Sequence, residues 1–105
     1  GVEVHELRDW DYRIPELSGP VYISIDVDAL DPAFAPGISH NEPGGMTTRQ
    51  LLDSLYQIDA SGVPVVGADV VEINPSRDVN DQTAMVGAKL IRELLGMMIS
   101  KELVQ

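Results

Sequence analysis

Hydrophobic positions along the chain change their period several times, and each change marks an element. Val21-Tyr22-Ile23-Ser24-Ile25 is an apolar, β-branched run of the kind a buried strand needs, and it predicts a strand over Val21–Val27. A second run, Val65-Val66-Gly67-Ala68-Asp69-Val70-Val71-Glu72-Ile73, predicts a strand over Val63–Ile73, stopped by Asn74-Pro75. Between them, Leu51, Leu52, Leu55 and Ile58 recur at helical spacing behind Thr47-Thr48-Arg49-Gln50, the Thr-x-x-Gln pattern of a capping box. That helix should end near Ser61-Gly62, where Gly62 suits a left-handed cap. Asn80-Asp81 opens a last helix, whose apolar face is read as Met85, Ala88, Ile91, Leu95, Met98 and Ile99, with its methionines filling core. Ahead of the first strand, the weak alternation of Gly1 to Leu7 predicts a short strand. The charged, turn-rich stretch from Arg8 to Pro20 follows, with Trp10 and Tyr12 covering an edge.

The order strand, loop, helix, strand, helix implies an α/β domain with parallel strands and helices on the sheet faces. Two or three parallel strands leave long edges open, so the chain reads as the terminal half of a larger sheet. Asp28 to Met46 holds several Pro and Gly clusters and few periodic apolar positions, which predicts a long ordered loop. Loops of that length in compact domains are usually functional.

Composition narrows the picture. At 105 residues there is room for one small domain with a modest core. The lack of cysteine excludes disulfides and thiolate chemistry and is compatible with the cytoplasm. A formal net charge of −10 argues against nucleic acid and anionic membranes as partners and suits a cationic substrate. No apolar run is long enough to span a bilayer, and the charged first residues do not resemble a signal peptide. Gly1 stands where Met is expected, which suggests a cleaved tag, a processed product or a fragment.

The chemistry concentrates where the strands end. Asp26 and Asp28 lie two residues apart, so a strand continuing through Val27 turns both carboxylates to one face. Two adjacent, partly desolvated anions are costly, and a bound cation is the simplest compensation. Hard oxygen ligands suit Mg²⁺, Ca²⁺ or Mn²⁺. Ligands of open α/β sheets sit at the carboxyl ends of the strands. Glu72 ends the second strand, so neighbouring strands would bring all three acids to one rim. Glu72 is then either a solvent-facing or capping acid, or a carboxylate fork for a cationic head group.

Asp26-Val27-Asp28-Ala29-Leu30-Asp31-Pro32-Ala33-Phe34-Ala35-Pro36-Gly37 and Asp69-Val70-Val71-Glu72-Ile73-Asn74-Pro75 resemble the signatures of the ureohydrolases, the arginase and agmatinase family. The likeness covers nearly the whole chain. It implies a portion of a three-layer α/β/α fold with a parallel sheet, and hydrolysis of a guanidino substrate, arginine or agmatine, that releases urea. It also implies two manganese ions and a hydroxide between them as nucleophile. By the match Asp26 bridges both metals, Asp28 chelates one and Glu72 holds the guanidinium. Asp69 and Asp31 stand behind them as supports, Asp31 capping its turn. His40 falls where many relatives carry a substrate-facing Thr-Gly-Thr-Pro segment, and the Ser39-His40 form is similar to plant-type arginases. His5 has no motif around it and reads as structural or exposed.

The family's Gly-Gly-Asp-His and Asp-Ala-His-x-Asp motifs, which carry further ligands, do not occur here. The resemblance therefore implies the C-terminal portion of a ureohydrolase, inactive by itself, without an identifiable proton shuttle. It further implies a homo-oligomer, trimeric or hexameric, and a cytoplasmic location with an organelle left open. Three rival readings stand beside it. A haloacid-dehalogenase-type phosphatase would need a downstream Lys and a paired acidic motif. A nucleotide-sugar transferase usually lacks the Asp-Pro-x-Phe-x-Pro-Gly continuation. The third is a non-catalytic remnant or interaction domain of ureohydrolase descent.

Overall fold

Val21–Asp26 (β1) and Val65–Val71 (β2) pair in parallel at the centre of the molecule. The computed structural model describes residues 1–103, with side chains through Ile99. The register sets Tyr22 beside Gly67, Ser24 beside Asp69 and Asp26 beside Val71, with an irregularity between Val21 and Tyr22 that absorbs Val66. Alternation along β1 buries Ile25 and half-buries Val21 and Ile23, while Tyr22, Ser24 and Asp26 look outward. The chain crosses from β1 to β2 through Thr48–Ala60 (α1) and ends in Gln82–Leu103 (α2). These are the parallel strands and α/β order expected from the pattern.

Local chemistry explains the boundaries of α1. The Thr47 hydroxyl accepts the Gln50 N–H at 3.0 Å and the Gln50 side chain accepts the Thr47 N–H at 3.0 Å, which completes the reciprocal capping box. At the far end Gly62 takes φ +80°, a left-handed conformation in which a Cβ is strained. Leu51, Leu52 and Leu55 face inward and join Ile25, Val27, Leu30, Val65, Leu90, Leu94 and Met97 in one core.

Two expectations need correction. Gly1 to Leu7 forms no strand. Residues 1–6 are exposed, no neighbouring strand offers a ladder, and the first element is a 3₁₀ turn at Leu7–Asp9. Backbone groups that cannot pair stay hydrated instead. The following segment is fastened to α1: the Gln57 side chain donates to the Tyr12 carbonyl at 2.6 Å and accepts the Ile14 N–H at 2.8 Å. The second correction concerns α2. Thr83, Gly87, Leu90, Leu94 and Met97 face the core, whereas Met85, Ala88, Ile91, Leu95 and Ile99 are exposed and Met98 is only half-buried. Both stripes have helical period, so periodicity does not choose between them. Gly87 does: a Cβ there would lie 2.6 Å from Ile73 Cδ1, so the helix approaches closely only on its glycine side.

Residues 30–46 form an ordered loop closed at its neck by a bridge between Leu30 and Met46. There the Asp31 N–H donates to the Met46 carbonyl at 2.8 Å and the Met46 N–H to the Ala29 carbonyl at 2.9 Å. Ala35 and Ile38 are fully buried, so the middle of the loop contributes to the core.

Candidate active site at the carboxyl rim of the strands

The first strand stops earlier than its apolar run suggests. β1 ends at Asp26, and Val27–Ala29 is a 3₁₀ turn in which the Asp26 carboxylate accepts the Asp28 N–H at 2.8 Å. Val27 is completely buried and anchors this turn. Period-two alternation therefore does not govern Asp28. The two carboxylates stay adjacent but differ in setting: Asp26 is exposed, whereas the Asp28 side chain is only 23% exposed. Asp28 Oδ1 is buried and has no hydrogen-bond partner. A buried carboxylate oxygen left without a donor is costly. A divalent cation, a hard acid suited to carboxylate oxygen, fits that vacancy of partners. Among the described residues no three His, Cys, Asp or Glu side chains are grouped to hold a metal.

His40 stands beside this pair. Its Nδ1 lies 3.8 Å from Asp28 Oδ2, and 85% of the imidazole is exposed, so one side of the ring meets the carboxylate and the rest meets solvent. Glu72 follows directly on Val71, the register partner of Asp26, which puts it on the same rim. Its backbone has φ +74°, a left-handed conformation that costs a β-carbon residue roughly 1–2 kcal/mol. That kink ends β2 and takes the exposed Glu72 side chain out of the strand alternation. Strain of this kind is retained where surrounding structure enforces it, most often at functional sites.

Asp31 and Asp69 turn elsewhere. Asp31 Oδ1 accepts the Ala33 N–H at 2.9 Å and Oδ2 the Gly44 N–H at 2.9 Å. These donors, with Gly45, hold its carboxyl below the ordinary carboxylate range against a smaller opposing effect of burial. Gly45 is obligatory here, because a Cβ would lie 2.6 Å from Asp31 N and 2.7 Å from Leu30 C. Asp69 reaches across the sheet, accepting from Ser24 Oγ at 2.7 Å and Tyr22 Oη at 2.9 Å. The hydrogen bond to Asp69 raises the Tyr22 phenol, helped by burial and by the carboxylate charge. Asp69 thus clips β1 to β2 beneath the rim and touches neither Asp26 nor Asp28 by any hydrogen bond.

Several framing residues escape a reading of the sequence. Asp78 accepts the N–H groups of Val79, Thr83 and Ala84 at 2.9, 2.9 and 3.0 Å and so caps α2. Burial raises its pKa, but the Thr83 and Ala84 amides, the Thr83 hydroxyl and the Val79 amide outweigh it, and the net shift is downward. Asn80 and Asp81, the expected start, are left-handed at φ +50° and +58°, which Asn and Asp tolerate. The run Asp78-x-Asn80-Asp81 is the signal that would move the cap upstream. Thr83 is fully buried and accepts the Gly37 N–H at 2.7 Å, joining the loop to α2.

The family model described as "Arginase family" matches residues 4–96. Arginase 1, mitochondrial, of Arabidopsis thaliana is 54% identical over 103 residues, covering 90% of this chain and 29% of that protein. An agmatinase of Bacillus cereus is 51% identical over 83 residues, covering 78% of this chain and 29% of that protein. The solved arginase of Medicago truncatula is 52% identical and superposes with a TM-score of 0.66, covering 73% of this chain and 24% of that one. The chain thus spans under a third of the length of these relatives. The family model covers most of the chain, and the chain belongs to the arginase family.

Proposed function

We propose that this chain is the C-terminal portion of a manganese-dependent ureohydrolase that cleaves a guanidino substrate, arginine or agmatine, and releases urea. The observation that carries the reading is the buried, partnerless Asp28 Oδ1 on the rim that also bears Asp26 and Glu72. Asp26 and Asp28 would hold the manganese, together with ligands from the rest of the protein. Two such ions, when bound, lower the pKa of a water so that it attacks at neutral pH.

The chain's own residues supply the rest of the site. The exposed Glu72 carboxylate receives the guanidinium as a two-pronged, charge-assisted fork, and the kink at Glu72 aims it. Neutralising the guanidinium there fixes the orientation of its carbon toward the rim. His40, against Asp28, faces the entering substrate from the loop. Asp31 keeps that loop closed, and Asp69 keeps the strands in register beneath the acids. The lack of cysteine in these 105 residues is compatible with a reducing compartment, the cytoplasm or an organelle interior. No described helix is long and apolar enough to cross a membrane. Open strand edges and the exposed Met85, Ile91, Leu95 and Ile99 support assembly, a homo-oligomer in the whole protein and self-association of these 105 residues alone. Urea release by the intact protein, assayed with arginine and agmatine before and after chelation and manganese return, tests the reading. Activity that is unchanged by chelation, or absent with every guanidino compound, contradicts it.

A further inference from the structure

The segment that follows Glu72 makes the hydrogen bonds that hold the loop just ahead of His40. The Asn74 N–H donates to the Gly37 carbonyl at 2.7 Å. Asn74 Nδ2 donates to Ser39 Oγ at 3.0 Å, and Arg77 Nη1 to the Ser39 carbonyl at 3.1 Å. Asn74 Oδ1 is already engaged by the Ser76 N–H at 3.2 Å and the Ser76 hydroxyl at 2.6 Å, which fixes the amide with its nitrogen toward Ser39. Pro75 at the start of the 3₁₀ turn Pro75–Arg77 stiffens this arrangement. Arg77 donates to a neutral carbonyl and pairs with no carboxylate among the described residues, so its guanidinium serves the loop.

Beyond Ser39 the loop is exposed through Gly44. From that tip, the Asn41 side chain reaches the Pro36 carbonyl at 3.3 Å and His40 reaches Asp28 at 3.8 Å. The tip's position therefore depends on the anchor at Ser39. Glu72 and that anchor are joined by the short stretch Ile73–Arg77, and Ile73 is locked under Gly87. A rigid link between the group that grips the guanidinium and a loop that stands beside Asp28 fixes the distance between the two, as a ruler does. Displacements of about 1 Å in such links cost on the order of 10²-fold in rate.

We infer that Arg77 and Asn74 are positioning residues that set the His40 loop at a fixed reach from Glu72, so that the segment after β2 governs which guanidino substrates are accepted. The inference rests on the guanidino-hydrolase reading for its substrate class, and on the Ser39 anchor for its geometry. Arg77→Met keeps the side-chain stem and removes the donors, while Arg77→Lys keeps one donor. Arg77→Met should speed amide exchange at Asn74, whose N–H is held by the Gly37 carbonyl, about tenfold, with the core amides of Leu90 and Leu94 unchanged. In the intact enzyme it should raise KM about tenfold with a smaller change in kcat, to different extents for arginine and agmatine, and Arg77→Lys should restore most of both. Unchanged exchange at Asn74 in Arg77→Met overturns the anchor, whatever the activity. Faster exchange with equal KM for both substrates overturns the role in selection. If the intact wild-type protein cleaves no guanidino compound, the substrate class falls with the functional reading, and the exchange result still decides the anchor.

Discussion

Two sets of carboxylates lie within the same small region, and they are treated oppositely by their surroundings. Those of the frame, Asp31 and Asp78, are saturated with backbone N–H donors, and both are held below the ordinary carboxylate range. Those of the rim are not: Asp28 keeps a buried oxygen with no donor, Asp26 holds one amide, and Glu72 is exposed on a left-handed backbone. Satisfied acids stabilise the fold, while unsatisfied and strained ones are retained only where another requirement keeps them. The same contrast separates Asp69, engaged by Tyr22 and Ser24, from the rim three residues further along.

The largest effect that could break this contrast is on turnover. Glu72→Gln in the intact protein preserves size and removes the fork, so urea release should fall about 10³-fold with manganese content unchanged. Metal analysis alongside the assay checks it, and near wild-type turnover would move Glu72 into the frame.

The frame is sharpened by a change to stability. Asp78→Ala deprives two amides at the start of α2, and that of Val79 ahead of it, of their acceptor and should lower Tm by about 5 °C, read by thermal melting. The frame also has a pH signature. Native pKa values below the unfolded ones mean that Asp31 and Asp78 add stability above about pH 4, and that this is lost as pH falls through their native values. Melting curves between about pH 5 and pH 2 should flatten in Asp31→Asn and Asp78→Asn. The smallest effect runs the other way. Glu72→Gly relieves the left-handed strain and should raise stability by up to about 1 kcal/mol in denaturant unfolding, while abolishing the fork.

How much of this could be read beforehand follows the range of each interaction. The capping box at Thr47, the stop at Gly62 and the apolar runs of β1 and β2 are local and were readable from short stretches of chain. Their parallel pairing followed from the order of elements. The rim residues were readable as motifs, but the settings that distinguish them were not. That β1 stops at Asp26 depends on the burial of Val27, and the partnerless oxygen of Asp28 depends on how the turn folds inward. The wrong face chosen for α2 has the same origin. Its two apolar stripes are equal in period, and the choice rests on a contact between Gly87 and Ile73 fourteen residues away. Asn74, read as a strand stop, and Arg77 acquire their roles through bonds to Gly37 and Ser39, which spacing along the chain does not announce.

The central claim is that the partnerless acid of the rim, unlike the satisfied acid of the frame, exists to hold metal. Asp28 and Asp31 are three residues apart and chemically identical, which makes them the cleanest pair. Manganese binding to the intact protein should be measured by titration calorimetry for Asp28→Asn and Asp31→Asn, with thermal melting of each apo form. The account predicts that Asp28→Asn loses manganese with little loss of Tm, while Asp31→Asn melts several degrees lower and still binds. Wild-type manganese affinity in Asp28→Asn would contradict it.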